Sequence, residues 1–228
     1  MRRILVIDIG GTHVKLMISR SEKRKFDSGS DMGPRDVMAG VKSEIKDWKF
    51  DAVSIGFPSP IYNGRIVKEP KNLAPGWTGF DFRKAIGKPV QLINDAALQA
   101  LGSYHGGRML FLGLGTGLGS TLVWDKNVLP LELSDLPYVD GGTLEDRLGK
   151  DGLKRLGKKD WIDEVQAVVK QLKLAFVANY VVLGGGNAKL LDSLPDGIEL
   201  GHNRNAYLGG TRLWQTNGLT RRKKWNVI

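Results

Sequence analysis

Two stretches of this chain share one plan: a short apolar run, a glycine-threonine turn and a second apolar run. They are IDIGGTHVKLMI at 7–18 and LGLGTGLGSTLV at 112–123. Each reads as strand, turn, strand, and a repeat at this separation implies two related halves rather than a solenoid. The first copy carries Asp8 where the second has Gly113. Two unrelated glycine hairpins would look the same if nothing else supported the pairing. The chain has 228 residues, enough to bury a full core as one large domain or two small ones. Glycine contributes 30 of them. That is well above the usual share of about 7%, and the glycines gather at the ends of apolar runs, where a backbone can approach a ligand.

Hydrophobic periodicity predicts alternating short strands and helices. Strands are expected over 4–9, 14–19, 52–56, 90–93, 109–114, 120–124, 128–131 and 180–183. Helices are expected over 36–48, 81–86, 95–104 and 205–215, with 144–177 mainly helical. Asn63-Gly64 is a hairpin signal.

Composition removes several classes of function. Cysteine is absent, so there is no disulfide framework, thiol nucleophile or cysteine-zinc site. His13, His105 and His202 are too far apart in sequence to suggest a metal cluster. No apolar run approaches the ~20 residues that span a bilayer, so no membrane partner is expected. The opening MRRILVIDIGG starts like a signal peptide, but Asp8 interrupts it and no small-residue cleavage site follows. A cytoplasmic protein is expected. The net charge of +10 attracts anions, with Arg221-Arg222-Lys223-Lys224 as the densest patch. A basic tail reads first as solvated, and no RNA-binding sheet motif, zinc finger or basic zipper is present. The charge permits a polyanionic substrate; a nucleic-acid partner is not expected.

The chemistry gathers at the turns. Asp8-Ile9-Gly10-Gly11-Thr12 ends a strand, so its amides and the Thr12 hydroxyl suit a phosphate. Asp8 suits Mg²⁺, directly or through water. Gly113-Leu-Gly-Thr-Gly-Leu-Gly119 is a second such turn. It is neither a Walker loop nor a dinucleotide fingerprint, because no Gly-Lys-Ser/Thr follows and it opens a strand. In Leu92-Ile-Asn-Asp-Ala96, Asp95 stands where a strand gives way to a helix. There it reads as a helix cap, or as a general base for phosphoryl transfer to a hydroxyl. Asn94 beside it can bond a neighbouring hydroxyl.

The order Asp8-Ile-Gly-Gly-Thr12, Gly56-Phe-Pro58, Asn94-Asp95-Ala96, Gly113-Leu-Gly-Thr-Gly117 and Leu183-Gly-Gly-Gly186 resembles the repressor–ORF–kinase (ROK) family of sugar kinases. The resemblance runs from Ile4 to about Trp214. Within the family the chain looks most like the polyphosphate glucokinases, through KNLAPGWTGFDF around Asn72, Leu-Pro-Leu-Glu132 and the missing cysteine-rich zinc motif. It implies an α/β fold of the actin/hexokinase type, with two ribonuclease-H-like domains around a cleft. The implied domains are 1–95 with a C-terminal helix of about 205–228, and 96–204. No DNA-binding module is expected ahead of Asp8. A homodimer is compatible with the family, and no sequence feature decides it.

The resemblance also implies roles. Asp95 resembles the catalytic base, and Asn72, Asn94 and Glu132 resemble sugar contacts. Asp8, Gly10, Gly11, Thr12 and Lys15 resemble one phosphate site; Gly115, Thr116 and Gly117 resemble the other. Lys15 reads equally well as a surface strand residue. Gly184, Gly185 and Gly186 resemble the turn beside a nucleotide base. The implied reaction is phosphoryl transfer from ATP or polyphosphate, with Mg²⁺, to a hexose hydroxyl. The rival is a non-catalytic sugar sensor on the same fold. Where the family usually reads Glu-Leu-Gly-His, this chain reads Glu132-Leu-Ser-Asp135. Asp135 therefore stands in the sugar site in place of a histidine, and glucose is expected to be a poor acceptor.

Overall fold

The computed structural model describes residues 2–202, 204–216 and 222–228. The first part of the chain forms β1 (Ile4–Ile9), β2 (His13–Met17), β3 (Lys23–Asp27), α1 (Pro34–Glu44) and β4 (Ala52–Phe57). It continues through β5 (Ile61–Tyr62), β6 (Arg65–Ile66), α2 (Phe82–Ile86), β7 (Val90–Asn94) and α3 (Asp95–Ser103). Next come β8 (Arg108–Leu114), β9 (Leu118–Trp124), β10 (Asn127–Leu131), α4 (Leu144–Leu148), α5 (Lys150–Leu156) and α6 (Lys158–Ala175). The chain then forms β11 (Tyr180–Gly184), β12 (Ile198–Leu200), α7 (Asn205–Arg212) and β13 (Asn226–Val227).

The repeat seen in the sequence is a repeat of topology. One sheet runs β3-β2-β1-β4-β7 and the other β12-β11-β8-β9-β10-β13. In each, three consecutive strands form an antiparallel meander, and two later strands add in parallel beside the first. Both sheets therefore have the order third-second-first-fourth-fifth, with β13 as an extra edge strand. This is the doubled architecture of the actin/hexokinase fold.

The repeat is not exact at its turns. Residues 10–13 separate the paired Ile9 and Val14, whereas residues 115–117 separate the paired Leu114 and Leu118. The two copies align up to the turn and slip by one residue after it.

Helices α3 and α7 form the layer between the sheets. Ala97, Leu98 and Leu101 of α3 pack with Val6 of β1, Phe111 of β8 and Ala206 of α7 in one buried cluster. A Cβ at Gly102 would strike the Asn205 carbonyl, and one at Gly209 the Leu98 carbonyl, so the two helices touch backbone to backbone. Ser54 Oγ ties α7 to β4 by donating to the Gly210 carbonyl at 2.7 Å. On the outer faces, α1 covers the first sheet with Val37 and Val41, and α4 to α6 cover the second with Leu148, Trp161 and Val165.

The last helix is shorter than the sequence suggests. It ends at Arg212, because the Trp214 indole donates to Ser54 Oγ at 2.9 Å and the Lys224 amide returns to the Gln215 carbonyl at 2.9 Å. Asn226–Val227 then pairs with β10, so these residues extend the second sheet rather than a helix on the first. Arg221 of the basic patch lies outside the described residues. Strands β3, β12 and β13 escape the periodicity reading. The first, Lys-Arg-Lys-Phe-Asp, alternates only between exposed and half-buried positions at a sheet edge. No helix among the described residues is long and apolar enough to cross a membrane.

Candidate active site

Strands β1, β4 and β7 are parallel and end together at one edge of the first sheet. In open α/β sheets, ligands bind outside these carboxyl ends. The register sets Asp8 beside Gly56 and Gly56 beside Ile93, two residues before Asp95. A Cβ at Gly56 would lie 3.2 Å from Asp95 Cα, and one at Gly119 would lie 2.7 Å from Ala96 Cβ. The start of α3 is thus wedged between two glycines, one from each sheet. That packing carries the second glycine turn to the side of Asp95.

Asn94 caps α3. Its Oδ1 accepts from the Ala96 and Ala97 amides at 2.9 and 3.2 Å. The cap read from the sequence at Asp95 therefore belongs to Asn94, and Asp95 is the first helical residue. Asp95 Oδ1 accepts from the Ala96 amide at 2.8 Å, and Oδ2 has no partner among the described residues. Burial pushes the Asp95 carboxyl up to about 7, and the charges of Asp8 and Glu132 add to the rise against the Ala96 amide and Lys15. Asp8 is only 5% exposed and is itself raised by burial. Lys15 faces it across the β1–β2 pair, with Nζ 3.5 Å from Oδ2, and moderates that rise. Lys15 is thus a half-exposed strand residue whose ammonium reaches the buried Asp8.

The second and third glycine turns come together. In the first turn, the Gly10 amide donates to the His13 carbonyl at 3.0 Å, and Ser28 Oγ to the Gly10 carbonyl at 2.6 Å. The exposed Thr12 hydroxyl has no partner among the described residues. In the second, the Gly115 amide donates to the Gly117 carbonyl at 3.1 Å, and Thr116 is exposed. Asn187 Nδ2 reaches the Gly115 carbonyl at 3.1 Å and holds the third turn, Gly184 to Gly186, against the second. Close packing already accounts for two of these glycines: a Cβ at Gly184 would lie 2.5 Å from Phe111 Cζ, and one at Gly185 would strike the Leu114 carbonyl. The cavity beside them, lined by Gln99, Phe111, His202 and Asn205 among others, measures about 10 Å³. That is room for about one water.

Opposite these turns lies the loop after β6. Its shape comes from Glu69, whose carboxylate accepts from the amides of Gly76, Trp77 and Thr78 at 3.1, 3.0 and 2.9 Å. Burial alone would raise Glu69, but these bonds hold it below the ordinary carboxylate value. Trp77, fully buried, anchors the loop against Phe57 with ring centroids 4.8 Å apart. The loop presents Asn72 to the first turn: a Cβ at Gly11 would lie 2.5 Å from Asn72 Cβ. Glu132 joins the same cleft, and burial and Asp135 raise its carboxyl. Asp135 is exposed and accepts from Lys71 Nζ at 3.2 Å.

Three residues here escape the sequence reading: Glu69, Lys71 and Glu145. Lys71 Nζ also donates to Glu145 Oε1 at 3.1 Å. Only Glu145 carried a local signal, since the capping box of Thr143 and Asp146 places it in the first turn of α4.

Among the described residues, no group of three or more His, Asp or Glu side chains could hold a metal. Mg²⁺ does not require one, because it keeps several waters and takes one or two carboxylates together with phosphate oxygens. The buried Asp8, with Asp95 close enough to feel its charge, suits such an ion.

This arrangement agrees with the family comparison: the ROK family model matches residues 4–130, more than half of the chain. The chain belongs to the ROK family. It is similar to the polyphosphate glucokinase of Mycobacterium leprae (strain TN), 25% identical over 209 residues, which covers 82% of this chain and 64% of that protein. It is also similar to the kanosamine kinase of Amycolatopsis mediterranei (strain S699), 27% identical over 52% of this chain and 45% of that one. The chain thus spans less than two thirds of the length of either relative. Among solved structures, the inorganic polyphosphate/ATP-glucomannokinase of Arthrobacter sp. strain KM superposes with a TM-score of 0.79, at 24% identity, over 92% of this chain and 96% of that one. That likeness establishes the fold.

Proposed function

We propose that this ROK protein is a cytoplasmic sugar kinase that moves a phosphoryl group from inorganic polyphosphate to a hexose hydroxyl. The observation that carries the reading is Asp95: a buried carboxylate pushed up to about 7, close enough to Asp8 and Glu132 to feel their charges, with its second oxygen unpartnered among the described residues. A general base works best when its pKa lies near the operating pH.

In this reading Asp95 Oδ2 takes the proton from the sugar hydroxyl as its oxygen attacks the terminal phosphorus. The bond to the bridging oxygen breaks, and polyphosphate leaves shorter by one unit. Gly10, Gly11 and Thr12 hold the donor from one side with Lys15, and Gly115, Thr116 and Gly117 from the other. Catalysis is then mostly positioning and charge neutralisation. Mg²⁺, when bound at Asp8, supplies charge neutralisation on the transferring phosphoryl oxygens. Asn72, Asn94 and Glu132 orient the acceptor; the Asn94 amide nitrogen is available because only its oxygen is spent on the cap. The two sheet-centred halves, near residues 1–95 with the C-terminal helix and 96–204, act as domains that close on the sugar and exclude water.

Polyphosphate is preferred over ATP for a physical reason. A phosphate chain needs no base pocket, and the net charge of +10 attracts a polyanion. The similar mycobacterial and Arthrobacter proteins carry polyphosphate in their names, which supports the same donor. The test is a matrix of hexoses and amino sugars against polyphosphate and ATP, following phosphorylated sugar directly. Product with polyphosphate supports the reading. Sugar binding without transfer from either donor would replace it with a sensor.

A further inference from the structure

We infer that Lys71 is a positioning residue, which with Asn72 clamps the acceptor loop onto both donor turns; this rests on the kinase reading above. The clamp is visible in a short chain of contacts. Asn72 lies against Gly11 in the first turn. Its neighbour Lys71 sends its ammonium the other way, to Asp135 Oδ1 at 3.2 Å and Glu145 Oε1 at 3.1 Å. The second oxygen of Glu145 accepts from the Leu118 amide at 3.1 Å, at the exit of the turn formed by Gly115 to Gly117. Glycine at 117 leaves room for that carboxylate, since a Cβ there would meet Glu145 Oε2 and displace it. Two consecutive residues of one loop therefore reach both phosphate turns, one by packing and one through a carboxylate.

Lys71 is held firmly ionised: burial would lower its pKa, but Glu145 and Asp135 together raise it. The ammonium has three N–H bonds, and two are spent on these carboxylates. The Lys71 side chain is 56% exposed and Asp135 50%, so the pair adds little to stability. Glu145, at 28%, is the more buried partner and the one bonded into the turn. Geometry, not folding energy, is what the contact supplies. Without Lys71, one oxygen of Glu145 is unopposed and the Leu118 end of the turn is free to shift against the acceptor.

The experiment compares wild type with Lys71→Met, Lys71→Arg, Glu145→Gln and the Lys71→Met/Glu145→Gln pair, using polyphosphate and the best sugar. A positioning role predicts a fall in kcat between about tenfold and a hundredfold in Lys71→Met, with substantial recovery in Lys71→Arg and unchanged thermal unfolding. The double variant is no worse than the worse single one, because both break the same chain. Phosphate released to water per sugar phosphate formed rises in Lys71→Met. Activity within about twofold of wild type, or losses that multiply in the double variant, would overturn the clamp. If wild type phosphorylates no sugar, the kinase reading falls but the clamp is still decided by calorimetric titration with polyphosphate. Affinity losses shared by positions 71 and 145 support it there, and independent losses overturn it.

Discussion

Asn94 and Asp95 are consecutive residues with separate tasks. Asn94 bonds the Ala96 and Ala97 amides at the start of α3, and Asp95 Oδ2 has no partner among the described residues. Removing the two side chains should therefore differ in their effect on stability. Asn94→Ala loses the cap and about 0.5–2 kcal/mol of stability, read as a lower denaturation midpoint, along with its contact to the acceptor. Asp95→Asn keeps the cap and the helix, yet lowers turnover by roughly 10²–10⁴-fold. Wild-type turnover in Asp95→Asn would remove it as the base.

The raised pKa of Asp95 predicts two pH dependences of opposite sign. As a base it must be ionised, so kcat/KM should climb as pH rises through about 7. Stability runs the other way. Between the ordinary 3.8 and about 7, folded Asp95 keeps a proton that the unfolded chain has lost, so this residue destabilises the fold as pH rises. Asp95→Asn cannot titrate. Its stability relative to wild type should therefore grow from about pH 4 to about pH 8, by about 1 kcal/mol or more. Parallel denaturant titrations across that range check this, and a constant difference would contradict it.

Apolar runs at β1, β4, β7, β8 and β11 are buried and bounded by glycine or helix starts, so their periodicity and turns name the strands and the doubled fold. The candidate base was legible for the same reason: Asn94-Asp95 sits where a strand pattern becomes a helix pattern. Lys71 and Glu145 were not, since they meet across 74 residues of chain and neither has a local pattern that demands the other. Glu69 is similar; its role comes from three amides that converge only when Trp77 is buried. The expectation that glycines 184 and 185 mark a base pocket fares differently, because close packing on Phe111 and Leu114 requires them in any case.

Donor use should respond to salt. A polyphosphate chain longer than the cleft meets the protein's net charge of +10 outside it, whereas ATP does not extend that far. Exposed charges beyond about 10 Å are screened at ~0.1 M salt. The KM for long polyphosphate should therefore rise steeply between low and moderate ionic strength, and the KM for short chains should rise less. Initial rates across a salt series with two chain lengths give the comparison. Equal slopes, or activity with ATP alone, would reverse the donor preference.

Acceptor choice is expected to turn on Asp135, which Lys71 contacts at 3.2 Å. An ionised carboxylate only accepts hydrogen bonds, while the histidine usual in the family at this place can donate to a sugar oxygen. Losing one matched bond costs about 1–3 kcal/mol, equivalent to about five- to 150-fold in kcat/KM. Glucose should accordingly be a poor acceptor, and a sugar whose group at that place donates should be better. Ser134→Gly with Asp135→His should raise kcat/KM for glucose, with Glu145 remaining as the partner of Lys71. Ser134 is buried and its hydroxyl lies 3.5 Å from Asp135 Oδ1, so the serine is changed together with the aspartate to restore the Gly-His pair usual in the family. Efficient glucose phosphorylation by the unmodified protein would refute this account. An unchanged preference in the double variant would show that Asp135 serves Lys71 and not the sugar.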